Sequence, residues 1–232
     1  MSMQTIAYAR PSTQRFGQPK VALGGFEQSL AHGQLRRVES KEFLFAEGDT
    51  VSHVYRIETG ALALYRVLSD GRRQVMGFAY PGEIVGLGID GTHTMNAQAV
   101  KPTRVRCVTI ASLRQSAATD PALGFRLYEA MARELAATRD LMLTTGQRSA
   151  SERVAGFILA LSRRNERNGQ DARCIDLPMT RADIGDFLGL TIETVSRTFS
   201  KFRLMKLVDL PHSSQVHILD IAHLRELADG GC

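Results

Sequence analysis

The chain has 232 residues, enough for two modest domains or one large one, each with its own hydrophobic core. Its charge balance, a formal net charge of +5, indicates a polyanionic partner, although a solvated basic surface gives the same balance. No apolar run approaches the roughly 18 residues of a membrane helix, and the polar N-terminus lacks the apolar core of a signal peptide. We therefore expect a cytoplasmic protein that makes no membrane contact, with residues 1–20 as a flexible arm.

The three cysteines, Cys107, Cys174 and Cys232, are widely spaced and form no C-x-x-C pair. An odd number at such spacings argues against a disulfide framework and against a metal cluster held by cysteines alone. Cys107 lies in the apolar stretch RVRCVTI and is expected to be a buried strand residue. We expect no bound metal.

The first half of the chain is typical of β structure. Turn glycines recur at regular intervals, at Gly48, Gly60, Gly71 and Gly82. Evenly spaced turns between short apolar segments predict a sandwich or barrel of antiparallel strands. Asp70-Gly71 favours a hairpin, because the turn needs positive φ. A short helix is predicted before the strands, over residues 26–38.

From Pro121 the pattern changes to that of one long helix. It carries a single apolar stripe at steps of three or four residues, formed by Leu127, Met131, Leu135, Thr138 and Met142. A helix of about 25 residues has more apolar length than a small β domain can cover. We predict that it pairs with its twin in a homodimer; packing along the β domain of the same chain is the alternative.

The C-terminal third predicts a winged helix. SASERVAGFILALSRR is an amphipathic helix with one apolar face, made of Val154, Phe157, Ile158 and Leu161. CIDLP follows as a short strand, KLVDLPHSSQVHILD as two strands joined by a polar turn, and IAHLRELAD as a closing helix. The stretch between them, MTRADIGDFLGLTIETVSRTF, predicts a helix-turn-helix.

Local chemistry supports that helix-turn-helix. Thr180 is a natural N-cap, and Asp183 three residues later can complete a capping box. Gly185 allows a second helix to cross closely, and Gly189 can take the left-handed conformation of a tight turn. Thr191 can then cap the second helix.

One face of the second helix is left for recognition. Ile192, Glu193, Ser196 and Arg197 lie in its first two turns. In the DNA major groove, glutamate accepts from cytosine N4, arginine donates twice to guanine, and an apolar side chain contacts the thymine methyl. The alternative is an ordinary solvated ion pair between Glu193 and Arg197, which are four residues apart.

Further residues around this face are expected to contact phosphates or to position the helices. Between residues 196 and 206 there are four cations and no acid, which suits phosphate contact. The residues assigned to phosphate contact or positioning are Thr180, Arg181, Thr191, Thr194 and Lys201.

The chain resembles the CRP/FNR superfamily of bacterial transcription regulators over nearly its whole length. The resemblance lies in GEIVGL, SERVAGFILALSRR and MTRADIGDFLGLTIETVSR, of which the last is highly specific. ETVSR looks most like the FNR/FixK branch. That likeness implies that Glu193, Ser196 and Arg197 read TTGA half-sites in an inverted repeat.

The resemblance also implies an architecture. The fold class is α+β, with an antiparallel β-roll of the cyclic-nucleotide-binding kind over residues 21–118, a dimerisation helix over 119–147 and a winged helix-turn-helix over 148–232. The implied protein is a homodimeric regulator, mainly an activator, linked to low-oxygen gene expression. Its implied partners are palindromic double-stranded DNA and RNA polymerase, the latter contacted through roll and wing surfaces.

Relatives in this superfamily bind effectors, and the residues argue against each of them. Gly82-Glu83 matches part of a cyclic-nucleotide motif, but no Lys or Arg lies between Glu83 and Val100 to neutralise a phosphate. The N-terminus has no cysteines for an iron–sulfur cluster. Haem would need a ligand such as His53 or His93, but a lone histidine on a strand or loop is far more often structural or exposed. We expect no cofactor and no effector, with a ligand-gated regulator as the alternative.

Two further hypotheses concern Cys174 and enzymatic activity. Cys174 lies six residues before Thr180, so its oxidation could control DNA binding; an inert strand cysteine is the alternative. Cupin-like metalloenzymes also use β-rolls, but the six histidines here never form H-x-H, and no catalytic motif is present. We expect no enzymatic activity.

Overall fold

The computed structural model describes residues 33–88, 91–125, 128–129, 131–132 and 148–230. The proposed N-terminal arm, Cys232 and four of the five stripe residues (Leu127, Leu135, Thr138 and Met142) lie outside these ranges. Within them, none of the helices combines the length and the apolar character needed to span a bilayer.

Six strands form one antiparallel sheet in the N-terminal half. They are β1 (Gln34–Val38), β2 (Phe43–Phe45), β3 (His53–Val67), β4 (Arg73–Ala79), β5 (Ile84–Val85) and β6 (Asn96–Thr109). The order is β1-β6-β3-β4, with β2 also on β6 and β5 also on β3. The pairing of the long strands β3 and β6 shifts register at Gly60, where a Cβ would lie 2.5 Å from the Cα of Thr103. The predicted antiparallel β domain is confirmed.

The start of the sheet corrects one prediction and supports another. Residues 34–38, expected to end a helix, form β1 and pair with β6 from Gln34 to Val38, which is fully buried. Pairing with the exposed edge of β6 satisfies backbone groups that helix propensity alone ignores. The predicted hairpin at Gly71 is present, with φ +83° in the turn between β3 and β4.

A helix α1 (Ile110–Thr119) follows β6, and residues 121–125, 128–129 and 131–132 are helical. Met131, a member of the predicted apolar stripe, is 55% exposed in the single chain. Phe125 and Tyr128 beside it are also exposed. The described beginning of the proposed dimerisation helix therefore carries apolar side chains that the described part of the chain leaves uncovered.

The C-terminal domain has the predicted order of elements. These are α2 (Ala150–Arg167), β7 (Cys174–Asp176), α3 (Arg181–Leu188), α4 (Ile192–Leu204), β8 (Val208–Asp209), β9 (Gln215–Ile218) and α5 (Ile221–Ala228). The strands form a small sheet in the order β7-β9-β8. All four residues of the predicted apolar face of α2 are buried. The winged helix-turn-helix is confirmed; the exact domain boundaries stay predictions.

The two domains meet where β4 lies against α3. Arg73 Nη1 lies 2.5 Å from Asp183 Oδ1 and 3.4 Å from Asp186 Oδ2. Gln74 Nε2 donates to the backbone carbonyl of Asp186 at 2.9 Å. Nothing in the sequence marks these partners, because the contact joins residues 110 positions apart.

Aromatic residues extend the contact between the domains. Phe78 of β4 lies against Phe187 and Phe157, with ring centroids 5.6 and 6.5 Å away. Farther along, the guanidinium of Arg164 on α2 lies 3.9 Å above the ring of Tyr80. The N-terminal β domain, which we call the roll, therefore holds the C-terminal domain through both polar and apolar contacts.

Two carboxyls on α3 respond to this contact in opposite ways. Burial acts to raise the pKa of Asp183, but hydrogen bonds from Arg73 and Thr180 outweigh it and hold that pKa below its ordinary value. Burial raises the pKa of Asp186 above its ordinary value in spite of Arg73. Asp183 is the carboxylate that the structure stabilises in its charged form.

The first prediction concerns Gly185 on α3. A Cβ there would lie 2.6 Å from the backbone oxygen of Leu190, so Gly185→Ala should destabilise the protein by about 1–3 kcal/mol. Gly156 in α2 is the matched control, because a Cβ there meets only Arg148 Nη1, at 3.8 Å, among the described residues. Gly156→Ala should stabilise by about 0.5–1 kcal/mol. Urea denaturation measures both; equal effects would contradict the close crossing.

The second prediction concerns stability in acid. The lowered pKa of Asp183 supplies stability that is present above the unfolded value of about 3.9 and is lost as the pH falls through the folded value. Asp183→Asn should therefore lower stability at pH 7 and flatten its loss on acidification. The raised pKa of Asp186 works in the opposite sense, so Asp186→Asn should steepen that loss. Urea midpoints from pH 3 to 7 check both variants, and parallel curves would contradict the assignment.

Candidate nucleic-acid interface

The N-terminus of α3 is fixed by the predicted capping box. The hydroxyl of Thr180 accepts the Asp183 amide at 3.1 Å, and Asp183 Oδ2 accepts the Thr180 amide at 2.9 Å. Both bonds satisfy amides that a helix end otherwise leaves unpaired. Thr180 itself is exposed beside this helix end, where partial positive charge favours an anion.

The turn between α3 and α4 is tightly constrained. Gly189 takes the left-handed conformation, with φ 65° and ψ 41°, as the sequence predicts. The Leu190 amide donates to the Gly185 carbonyl at 2.9 Å, which closes the turn. Arg153 on α2 donates to the Leu188 carbonyl at 3.0 Å. The direction of α4 therefore follows from that of α3.

The second helix buries one face and exposes the other. Thr191 is its N-cap and accepts the Thr194 amide at 3.2 Å. Val195 and Phe199 are buried against α3 and the core. The four residues predicted to read bases are all exposed: Ile192, Glu193, Ser196 and Arg197. An apolar residue, an acid, a hydroxyl and a base thus share the free face of the first two turns.

Glu193 and Arg197 do not form an ion pair. Both residues are described, and no salt bridge within 4.0 Å joins them. Hydrogen bonds from the backbone amide of Glu193 and from the Thr191 hydroxyl hold the pKa of Glu193 below its ordinary value, with a weaker contribution from Arg197. At neutral pH the face presents an ionised acceptor and an arginine with donors to spare.

The residues assigned to phosphates fall into two environments. Lys201 is exposed on α4, and Thr194 is partly exposed near its start. Arg181 is half-buried: its guanidinium lies 3.7 Å above the ring of Phe199, and its Nη1 has no hydrogen-bond partner within the described ranges. Burial lowers the pKa of Arg181. Arg181 therefore contributes directly to the packing of α3 against α4.

Two residues considered for effectors have structural contacts. Glu83 Oε2 accepts the Tyr80 amide at 3.1 Å, and its other oxygen lies 3.9 Å from Arg164 Nε. The ring of His93 is buried and stacks on Phe45 with centroids 3.7 Å apart, and burial lowers its pKa. The part of the chain that the structure describes contains no group of three His, Cys, Asp or Glu side chains suited to a metal ion.

Cys174 lies at the base of the wing. It pairs with His217 between β7 and β9, and its Sγ is 3.3 Å from His217 Nε2. Gln215 Nε2 lies 3.5 Å from the same sulfur. The thiol is half-buried and sits on a different element from the exposed face of α4.

Two family models match separate parts of the chain. The family model described as a Crp-like helix-turn-helix domain matches residues 152–227. The family model described as a cyclic nucleotide-binding domain matches residues 35–120. Together the two matches span most of the N-terminal β domain and of the C-terminal winged helix-turn-helix domain, which we call the reading domain.

Relatives match most of the chain. The nitrogen fixation regulation protein FixK of Bradyrhizobium diazoefficiens is 39% identical over 195 residues, 83% of this chain and 82% of its own. The transcriptional activator protein Anr of Pseudomonas protegens is 38% identical over 197 residues, 84% of this chain and 80% of its own. The solved structure of FixK2 from Bradyrhizobium japonicum has a TM-score of 0.79 and 36% identity, and the alignment covers 84% of this chain and 96% of that one. The relatives are transcription regulators and not enzymes, and this chain belongs to the CRP/FNR family of transcription regulators.

Proposed function

We propose that this regulator binds an inverted repeat of TTGA-type half-sites as a homodimer, with one α4 in each major groove. The exposed face of α4 carries the proposal: Glu193 and Arg197, which form no salt bridge with each other, stand one turn apart on a helix whose direction the Gly189 turn determines. A helix-turn-helix contacts bases with the N-terminal residues of its second helix. Because the chain belongs to this family, we expect that binding mainly activates transcription.

The side chains suit the bases of such a half-site. TTGA contains one G·C pair, whose cytosine N4 can donate to ionised Glu193 and whose guanine can accept two bonds from Arg197. Ser196 can donate or accept, and exposed Ile192 can contact a thymine methyl. Lys201, Thr180, Thr191 and Thr194 supply phosphate contacts around them, with Arg181 holding the two helices together.

The proposed dimer uses the helix that follows the roll. Met131, Phe125 and Tyr128 are apolar and exposed in one chain, and a second copy supplies an equal apolar surface. The predicted stripe continues through Leu127, Leu135, Thr138 and Met142. RNA polymerase is the further proposed partner, contacted through roll and wing surfaces, and the cytoplasm, where bacterial DNA lies, is the proposed location.

We further propose that DNA binding needs no small effector and serves low-oxygen gene expression, as in the branch that the chain resembles. Glu83, which would face a cyclic nucleotide, is instead engaged with Tyr80 and Arg164. His93, a candidate haem ligand, is buried against Phe45. A ligand-gated regulator of the same fold is the alternative, and its operator affinity would rise on addition of cyclic nucleotide or haem.

The third prediction tests base reading. Duplexes selected from a random pool by the purified protein, with no added ligand, should contain a symmetric repeat bound by two chains. Glu193→Ala and Arg197→Ala should each cost about 1–3 kcal/mol per half-site and relax the choice at one base pair. Fluorescence anisotropy on duplexes with single base changes measures this. Unchanged discrimination in both variants contradicts the proposal.

Lys201→Ala is the matched control on the same helix. It should weaken binding about equally on all duplexes and lower the salt slope by about one per chain, because a phosphate contact carries no sequence information. Selection of a single, asymmetric half-site would contradict the dimer. A requirement for added cyclic nucleotide or haem would favour the ligand-gated alternative.

We propose a second, redox role for Cys174. Its thiol lies 3.3 Å from His217 Nε2, which can accept the thiol proton. The thiolate then attacks one oxygen of a peroxide and the O–O bond breaks. The released hydroxide takes the proton from His217, so the products are a sulfenic acid and water. The bulkier, polar sulfur would disturb the base of the wing, where β7 and β9 pair.

The fourth prediction tests that role. Peroxide should lower the operator affinity of the wild type and leave that of Cys174→Ser unchanged, with sulfenic acid located by mass spectrometry. Cys107→Ser is the control and should respond like the wild type, because burial raises the pKa of the Cys107 thiol and so lowers its reactivity. A wild type that keeps its affinity after peroxide ends the redox proposal.

A further inference from the structure

Three residues of β4 contact α3 of the reading domain: two are adjacent in sequence and the third lies four positions farther along. We call Arg73, Gln74 and Phe78 the β4 clamp. Arg73 and Gln74 bind a carboxylate and a backbone carbonyl on α3, and Phe78 lies against the aromatic ring of Phe187 at the end of that helix. The β4 clamp joins two domains that are separate in sequence, and it fixes the orientation of the reading domain relative to the roll.

The β4 clamp acts at three points and restricts rotation as well as separation. The side chains of Arg73 and Asp183 are 26% and 12% exposed, so water competes weakly for their hydrogen bonds. The guanidinium of Arg73 also lies 4.2 Å from the ring centre of Tyr65, which holds it in place. A single exposed ion pair would leave the domain free to turn; these contacts together do not.

The position of α3 passes directly to α4. Asp183 binds Arg73 with one carboxylate oxygen and caps α3 through Thr180 with the other. Gly185 and Leu190 approach too closely for a Cβ to fit between α3 and α4. The roll therefore sets the direction of the helix that carries Glu193 and Arg197.

Orientation matters because a dimer reads two half-sites at once. Each base pair added between the half-sites turns one of them by about 35° and shifts it by about 3.4 Å. A reading domain held rigidly to its roll cannot follow such a change, whereas a loosely tethered one can. A protein with an intact β4 clamp should therefore discriminate between operators that differ in the spacing of their half-sites.

We propose that the β4 clamp determines operator spacing, with Arg73 as a positioning residue that holds the two α4 helices at one separation and angle. This inference rests on the proposed function, since it requires a dimer on an inverted repeat. A contact that only stabilised the fold would change the melting temperature without changing which spacing the protein prefers.

The fifth prediction compares full-length wild type, Arg73→Ala, Gln74→Ala and a control, Arg72→Ala. Arg72 is 78% exposed and pairs with Asp70 in the hairpin turn, so it leaves the β4 clamp intact. Anisotropy titrations use the selected operator and versions with one base pair added or removed between the half-sites. Wild type and Arg72→Ala should prefer the selected spacing by about tenfold or more, and Arg73→Ala by about twofold.

The outcomes separate this inference from the proposed function. Arg73→Ala with the wild-type spacing preference overturns the inference, as does Arg73→Ala that also loses discrimination at the G·C pair, because the reading face itself would then be damaged. If Arg73→Ala does not fold, Gln74→Ala decides: a reduced spacing preference supports the inference and an unchanged one overturns it. The proposed function fails separately, when Glu193→Ala and Arg197→Ala both leave base choice unchanged with an intact clamp.

Discussion

The close approach of α3 to α4 at Gly185 and Leu190 is the constraint on which the rest of the reading surface depends. It leaves no room for a Cβ, so the two helices cross at one distance. The left-handed Gly189 then sets the direction in which the chain re-enters a helix. Because α4 cannot shift along α3, the first-turn residues of α4 are held at one defined position relative to α3.

The same region shows how few groups can connect helix formation, domain packing and recognition. The Asp183 carboxylate starts α3, is held charged by its partners and receives Arg73 from the roll. The Asp183 carboxylate can stay charged although it is partly buried, because Arg73 donates to one of its oxygens and Thr180 donates to the other. The free surface has the opposite character, since Glu193 and Arg197 keep capacity that the protein itself does not use.

Much of the helix-turn-helix could be predicted because its rules are local: Thr180, Gly189 and Thr191 act on neighbours within three or four residues. Residues 34–38 could not be assigned correctly, because their strand conformation depends on the open edge of β6, far away in sequence. The pairing of Arg73 with Asp183 across 110 positions also depends on how finished domains pack, which no local pattern encodes.

The hairpin turn before β4 acquires an unusual importance from this arrangement. The turn sets the register in which Arg73 lies opposite Val67, so inserting one residue after Gly71 would shift Arg73 relative to α3. Exposed turns ordinarily accept insertions freely. Here the length of the β3–β4 turn would be linked to the spacing between the half-sites of the operator. Related regulators that differ in the length of this turn are therefore expected to differ in operator spacing as well.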